Sequence, residues 1–371
     1  MIICSPQLGL NPQSVLGGEV FDREILLGLA KHGIKIKIIL PKNSPHDGNV
    51  KNWQITEIPL AHFPAILFNF ILIPYLFIVN KKNKIDIIRL HQPQFTCIAA
   101  LIFKTFNPRV KILATYHKYE ETKFGPFSKI INNSWDHIIC DSENVKKKIV
   151  KSYQVPEDRI TVVHNGIPNF LKPQKKDNTL IRKYKLANKI TLLFMGLFVK
   201  RKNPLFLLDV LSSLVKRNNK VVLIFWGKGP LKKAITEKAK RLNLSNNILF
   251  INPIFGPNKN KIHNLADIFL HPSLDEGFAL APLEAMACGK PIVMTNGYSS
   301  KEAVRDGING YLCSKNNLKD WTEKLSALIK NPHFERKMGN ASLKKAKKEF
   351  NWRLAIKKHV DVVKSLKLND N

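Results

Sequence analysis

The chain has 371 residues, 44% of them hydrophobic, with 60 Lys and Arg against 28 Asp and Glu, a formal charge of +32. That length and apolar content suit two domains with buried cores and exclude wholesale disorder. The charge follows from no folding rule: it is read either as the codon bias of a Lys-, Asn- and Ile-rich sequence or as the footprint of an anionic partner, whether nucleic acid, membrane surface or phosphorylated substrate.

Cys4, Cys97, Cys140, Cys288 and Cys313 are scattered, without CxxC pairs or His clusters at ligand spacing. This argues against a zinc module and a disulfide framework and fits a reduced, cytoplasmic protein. The opening MIICSPQLG lacks the basic and apolar regions of a secretory signal.

In chain order, short β-branched apolar runs predict strands at 34–40, 85–90, 110–115, 137–140 and 160–163. Helical spacing fills 19–31 and 144–153. Continuous apolar strands alternating with helices imply a parallel sheet covered on both faces. Phe63–Val79 is apolar and followed by Lys81, Lys82 and Lys84. Pro64, Asn69 and Pro74 interrupt it, so two short buried or interfacial helices are expected rather than a membrane span. From Pro168 to Lys189 the chain turns polar and basic, a candidate domain boundary. Beyond it, strands are expected at 190–195, 221–226, 248–251, 267–270 and 291–295, and helices at 204–216, 230–242, 318–329 and 334–350. A last amphipathic helix covers 352–366. The expected domains are 1–168, 169–351 and a C-terminal helix, 352–371, packing back on the first.

Open parallel sheets bind ligands at the carboxyl ends of their strands. The densest such stretch is His271–Val293. A strand ends, a loop carries Glu276, and a helix begins near Ala281 with Pro282 and Glu284 in its first turn. Free amides at Phe278, Ala279 and Leu280 suit an anion such as diphosphate. Two carboxylates beside them would repel that anion unless they bind hydroxyls. A ligand that is both phosphate and polyol, a nucleotide sugar, reconciles the two.

The spacing Glu276-x7-Glu284, within PSLDEGFALAPLEAMACGKPIV, resembles the Glu-x7-Glu motif of family-4 retaining glycosyltransferases with the GT-B architecture. Further resemblances follow in order. Gly17-Gly18 resembles the N-terminal glycine loop. Leu90-His91-Gln92-Pro93 and Thr115-Tyr116-His117 resemble paired strand ends, and Cys140-Asp141-Ser142-Glu143 a strand-to-helix turn in which Ser142 serves as cap. Val163–Ile167, Met195–Pro204, Trp226–Pro230, Glu302 and Gly307–Gly310 continue the series. Departures are Pro168 for an acid, Leu197 for a frequent arginine, and Asn203 and Ala279 for frequent glycines.

The resemblance implies an α/β GT-B fold of two doubly wound Rossmann-like domains facing a cleft, with the acceptor on the first domain and the donor on the second. It implies transfer of a glycosyl unit from a nucleotide diphosphate sugar to a cell-envelope or lipid-linked glycan acceptor, with retention. Expected catalytic residues are His117, lining the sugar, and Glu276, on sugar hydroxyls and developing positive charge. Expected donor-binding residues are Gly17, Gly18, Gly196, Arg201, Lys202, Gly227, Gly277, Phe278, Ala279, Leu280 and Glu284, the last on ribose hydroxyls. Arg201 and Lys202 take the diphosphate. No Asp-x-Asp pair stands in position, so metal-independent chemistry without a cofactor is expected. Rival readings are a nucleotide-sugar epimerase or phosphorylase of the same fold, and a non-catalytic binder of an anionic polymer; no motif for specific nucleic-acid recognition appears. Unused lysines, with Phe63–Val79, suggest a peripheral position on the anionic inner face of the cell membrane.

Overall fold

A computed structural model describes residues 1–14, 17–59, 67–254, 256–274, 276, 278–297 and 299–368. The chain forms two compact units, Met1–Gly166 with Trp352–Asn371, and Ile167–Asn351.

The first unit carries β1 (Ile2–Pro6), α1 (Gly17–Lys31), β2 (Lys35–Pro41), β3 (Trp53–Ile58), α2 (Phe68–Lys82), β4 (Ile87–His91), α3 (Cys97–Phe106), β5 (Lys111–Tyr116), α4 (Ser128–Asn133), β6 (His137–Cys140), α5 (Glu143–Tyr153) and β7 (Ile160–Val162). The second carries α6 (Asn178–Lys183), β8 (Ile190–Met195), α7 (Phe206–Val215), β9 (Val221–Trp226), α8 (Lys232–Arg241), β10 (Ile248–Ile251), α9 (Asn258–Leu265), β11 (Ile268–His271), α10 (Leu280–Ala287), β12 (Ile292–Thr295), α11 (Ser300–Ala303), β13 (Gly310–Cys313), α12 (Leu318–Lys330) and α13 (Pro332–Glu349). The chain ends in α14 (Trp352–Leu368), part of the first unit.

Both sheets are wholly parallel, in the orders β3-β2-β1-β4-β5-β6-β7 and β10-β9-β8-β11-β12-β13. Each order reverses once, between β1 and β4 and between β8 and β11. A crevice opens at such a reversal because the connections leave to opposite sides. Strands β1, β3 and β13 lie outside the runs expected from the sequence. The stretch 168–189 is not a bare linker: it holds α6 and lends Leu171 and Leu186 to the second unit's core.

In the first unit, α2, α3 and α5 cover one face of the sheet, and α1 with α14 covers the other. The expectation of two helices broken at Pro74 is corrected. One helix runs Phe68–Lys82 with Pro74 inside it, while residues 63–66 lie outside the described residues. Phe68, Leu72, Leu76 and Val79 are buried on one stripe, and this packing outweighs the hydrogen bond that proline removes. Asn69, which reads as an interruption, has a role. Its Oδ1 accepts from the amides of Ile98 and Ala99 at 3.0 and 3.3 Å, capping α3, where Thr96 supplies no side-chain bond. Ser142 caps α5, accepting from Val145 N at 3.4 Å.

Helix α14 meets α1 where Gly28 faces Ile356. A Cβ on Gly28 would lie 2.4 Å from Ile356 Cγ1. Gly28→Ala should therefore destabilise the protein by about 1–3 kcal/mol through overpacking, despite alanine's better helix propensity. Pairing it with Ile356→Ala should show a favourable coupling in a double-mutant cycle by urea denaturation. Strict additivity would show that the two helices do not touch there.

Candidate functional site

In the second unit the chain leaves β8 through Gly196. Gly227 follows the neighbouring β9, and a Cβ on it would stand 1.9 Å from the Gly196 carbonyl oxygen, so only glycine permits this approach. The β8 connection then makes a short 3₁₀ turn, Lys200–Lys202, ended by Asn203 at φ 53°. That left-handed conformation explains why glycine is frequent at this position and why asparagine substitutes for it.

Arg201 and Lys202 leave this turn towards the end of β11. Arg201 Nη1 lies 2.8 Å from Glu276 Oε1, and Lys202 Nζ pairs with the same oxygen. Ser273 Oγ donates to it at 3.2 Å, and Leu274 N donates to the Arg201 carbonyl at 2.7 Å, tying the two loops together. Burial pushes the Glu276 carboxyl up, but Lys202 and Arg201 overcome it and hold the group down at about 2. Burial drives the His271 imidazole down to about 3, so it is neutral at neutral pH.

Of these residues, His271, Ser273 and Glu276 line a pocket of about 380 Å³, including its open mouth, together with Phe278, Ala279, Met294, Thr295, Gly297 and Ser300. Helix α10 starts at this wall. Its N-cap is Ala279, at φ −73° and ψ 128°, so the cap residue offers no side-chain oxygen to the first amides. The extended backbone also shows that alanine in place of glycine carries no strain here.

The expected helical position of Glu284 needs correction. It is the fifth residue of α10, past the first turn, and is not among the residues lining this pocket. Its Oε1 lies 2.6 Å from Lys259 Nζ and its Oε2 3.4 Å from His263 Nε2, both on α9. Lys259 also stands 5.5 Å from the centre of the Trp226 ring. Burial raises the Glu284 carboxyl, Lys259 and His263 lower it, and the outcome is about 2. Phe278 and Leu280 flank the start of α10, whereas Gly277 lies outside the described residues. Lys259, His263 and His271 were missed. The two on α9 have no sequence signal, since an i, i+4 polar pair is ordinary on a solvated helix.

In the first unit, Gly17 and Gly18 are the first residues of α1 rather than a loop before it. A Cβ on Gly18 would contact His117 Cδ2 and His91 Cε1, each at 3.5 Å. His117 follows β5, and its amide donates to Glu121 Oε2 at 2.7 Å. Its Nε2 lies 3.4 Å from His91 Nδ1, which is 3.4 Å from Asp22 Oδ1. Asp22 and Arg89 form an ion pair with both side chains fully buried. His117 stays neutral because burial, and then His91, push its pKa well down. Asp22 and Arg89 were missed as well. A signal existed: an acid on the apolar face of a helix and an arginine inside the run IIRLH.

Both clusters thus stand at the order reversals of their sheets. With this geometry in hand, the family is plain. Residues 15–169 match the profile described as Glycosyltransferase Family 4, and residues 176–345 that described as Glycosyl transferases group 1. The chain belongs to the family-4 glycosyltransferases and has the GT-B fold. It is 28% identical over 329 residues to an uncharacterized glycosyltransferase of Methanocaldococcus jannaschii, covering 86% of each chain. It is 29% identical over 219 residues, 57% of each chain, to the capsular polysaccharide biosynthesis glycosyltransferase CapM of Staphylococcus aureus. Its fold matches HepE of Anabaena, solved in complex with UDP, at a TM-score of 0.79 and 17% identity over 98% of this chain and 99% of that one.

Glu276 and Glu284 impose an acid limit on stability. Both carboxyls sit below their ordinary 4.5, at about 2. Their contribution is complete above pH 4.5 and is lost as pH falls towards 2, because the unfolded chain binds protons first. Urea midpoints should fall steeply over that window, on the order of 3 kcal/mol for each group. Glu284→Gln should flatten the slope; an unchanged slope would show that Glu284 is not held ionised by Lys259.

Proposed function

We propose that the protein transfers a sugar from a nucleotide diphosphate sugar to a hydroxyl of a cell-envelope or lipid-linked glycan, with retention at the anomeric carbon. The observation that carries this reading is the Glu276 carboxylate on the wall of a pocket, paired with Arg201 and Lys202 behind it, where α10 opens at Ala279 without a side-chain cap. Two cations and free helix amides suit a diphosphate. The carboxylate, ionised at any physiological pH, suits sugar hydroxyls and the positive charge that grows as the glycosidic bond breaks.

Without ligand, Glu276 holds both cations in place. A bound diphosphate shares them, and Glu276 turns part of its hydrogen bonding to the sugar. The anomeric C–O bond to phosphate breaks and the acceptor oxygen bonds to that carbon on the same face. The acceptor proton passes to the departing diphosphate oxygen. Glu276 is committed to Arg201 and Lys202, which disfavours a covalent glycosyl-enzyme intermediate through it. Arg201, Lys202 and the α10 amides supply the charge that a metal provides elsewhere, so the reaction is proposed as metal-independent. Gly196 and Gly227 admit the donor backbone contacts, Glu284 binds ribose, and His117 with Gly17 and Gly18 lines the sugar and acceptor side. The UDP in HepE supports testing UDP-sugars first.

Glu276→Ala and Lys202→Ala should each lower sugar transfer by two or more orders of magnitude, about 2.7 kcal/mol or more of transition-state stabilisation, with circular dichroism unchanged. Full activity in both would dismiss the site. Incubation with donor alone should give slow hydrolysis to nucleoside diphosphate; an epimerised donor would favour the rival enzyme.

The acceptor is proposed to be met at an anionic membrane surface. Helices α2 and α3 expose Phe70 (59%), Phe77, Ile78, Ile98, Ile102 and Phe106 (71%), and the Phe77 and Phe106 rings, one from each helix, are 6.0 Å apart. Exposed Lys81, Lys82 and Lys84 border it. Among the described residues no helix is long and apolar enough to cross a membrane. Such a patch with a cationic rim suits shallow insertion between acidic headgroups. The protein should co-sediment with phosphatidylcholine vesicles containing phosphatidylglycerol and much less with phosphatidylcholine alone. Phe70→Ser with Phe106→Ser should weaken this at least about tenfold, each lost apolar side chain being worth roughly 1.5–3 kcal/mol when buried. Equal binding to both vesicle types would return the charge to codon bias.

A further inference from the structure

Beside the sugar-side histidine of the first unit lies a buried chain of polar groups that the reading above does not use. Arg89 is in the middle of β4 and Asp22 on the inner face of α1, and neither side chain has any exposed surface. Asp22 Oδ1 receives Arg89 Nη1 and lies 3.4 Å from His91 Nδ1. The same His91 nitrogen lies 3.4 Å from His117 Nε2. His117 Nδ1 is 3.8 Å from Asp141 Oδ2. Phe21, one residue before Asp22, places its ring edge-on to His117 at 5.0 Å.

The charge on Asp22, 3.4 Å from His91 Nδ1, selects one arrangement of protons along this chain. An ionised carboxylate only accepts hydrogen bonds. Burial works against ionisation of Asp22, but Arg89 and then His91 outweigh it and hold the carboxyl below its ordinary value. His91 Nδ1 must then carry the proton. A nitrogen facing that N–H must be bare, so His117 Nε2 is bare and His117 Nδ1 carries its proton on the side of Asp141. The remaining nitrogen, His91 Nε2, is left as a lone pair. A Cβ on Gly18 would lie 3.7 Å from it, so the absence of a side chain at Gly18 leaves room for a ligand hydroxyl beside that nitrogen.

We infer that Asp22, paired with Arg89, is a positioning residue that sets the tautomers of His91 and His117 and so makes His91 Nε2 a hydrogen-bond acceptor for a hydroxyl of the sugar or of the acceptor, beside Gly18. Arg89 is the counter-charge that lets the carboxylate stand in the core; a lone carboxylate there would take up a proton and lose its grip on the tautomer. This inference rests on the proposed sugar-side role of His117, and its primary test does not.

That test is the wild-type protein with 15N-labelled histidine, in which long-range 15N–1H correlation at neutral pH assigns each ring proton. His91 should be protonated at Nδ1 and bare at Nε2, and His117 likewise. A His91 protonated at Nε2 overturns the inference without any variant. Asp22→Asn replaces an acceptor by a group that also donates, and should move His91 to the Nε2–H form. Transfer should then fall on the order of 10- to 100-fold in kcat, as for other residues acting through a histidine, with donor KM within about twofold. Should the buried Arg89 left without a counter-charge prevent folding, Asp22→Asn with Arg89→Gln removes both charges and keeps the tautomer question. An unchanged His91 spectrum and unchanged kcat in either variant overturn the inference. Full activity of His117→Ala would instead fault the proposed site, while the nitrogen assignment stands or falls on the wild-type spectrum.

Discussion

A carboxylate cannot leave water alone, and three of them stand buried or half-buried where the sheets reverse order or close by. Asp22 is held by Arg89, Glu276 by Arg201 and Lys202, and Glu284 by Lys259. Transfer of an unpaired ion into a medium of low dielectric costs several kcal/mol even after relaxation, and only a counter-charge with good geometry offsets it. Each pair joins elements far apart in sequence: α1 with β4, the loop after β8 with the loop after β11, and α9 with α10. The pairs therefore fix how neighbouring strand ends present their loops. They also set what those loops can do, since each carboxylate is ionised and each cation is already oriented before any ligand arrives.

The topology decides where this matters. A parallel sheet points all its strand ends one way, and the one reversal in each order separates two adjacent loops. In the second unit those are the β8 loop, with its two cations, and the β11 loop, with its carboxylate. In the first unit they are the start of α1 and the end of β4, with the end of β5 alongside. The same constraint explains the glycines. Gly227 lies where the β9 turn touches the Gly196 carbonyl, and any Cβ would push the β8 loop away from the position that Arg201 and Lys202 need.

Much of this was legible in the sequence. The Rossmann-like rhythm is visible because strands buried on both faces are continuously apolar. Glu276, Lys202 and Arg201 are visible because a motif with fixed spacing surrounds them. Other elements were hidden for identifiable reasons. Strand β3 carries mixed polarity, and α2 continues through Pro74 because its buried stripe outweighs a local break. Glu284 was placed one residue too early in its helix, since apolar residues on both sides of Pro282 blur the helix start. Lys259 and His263 could not be read at all: their partner lies on another helix, and only the packing of α9 against α10 brings them to it. Asp22 and Arg89 were readable in principle, as opposite charges at two positions whose neighbours are all core residues.

The charge excess acquires its meaning from the same bookkeeping. With 28 acids against 60 bases, many carboxylates are engaged in ion pairs, among them Asp22, Asp47, Asp136, Asp209, Asp267, Glu276 and Glu284. Each of them neutralises a basic partner, so the outward field is carried by the remaining basic positions. Such a field acts at two ranges. Within about 8 Å, the Debye length at physiological salt, specific cations compete for a ligand's phosphates or for headgroups. Beyond that distance the field is screened and contributes chiefly by raising the local concentration of anions during approach. Arg201 and Lys202 differ from the rest because both pair with one oxygen of Glu276, which fixes where they point. Lys81, Lys82 and Lys84 carry no such surroundings, and only their neighbourhood to the exposed rings of α2 and α3 distinguishes them from the rest of the excess. A cation becomes part of a site when something beside it restricts what it can bind, and the fold supplies that restriction at only a few of the sixty basic positions.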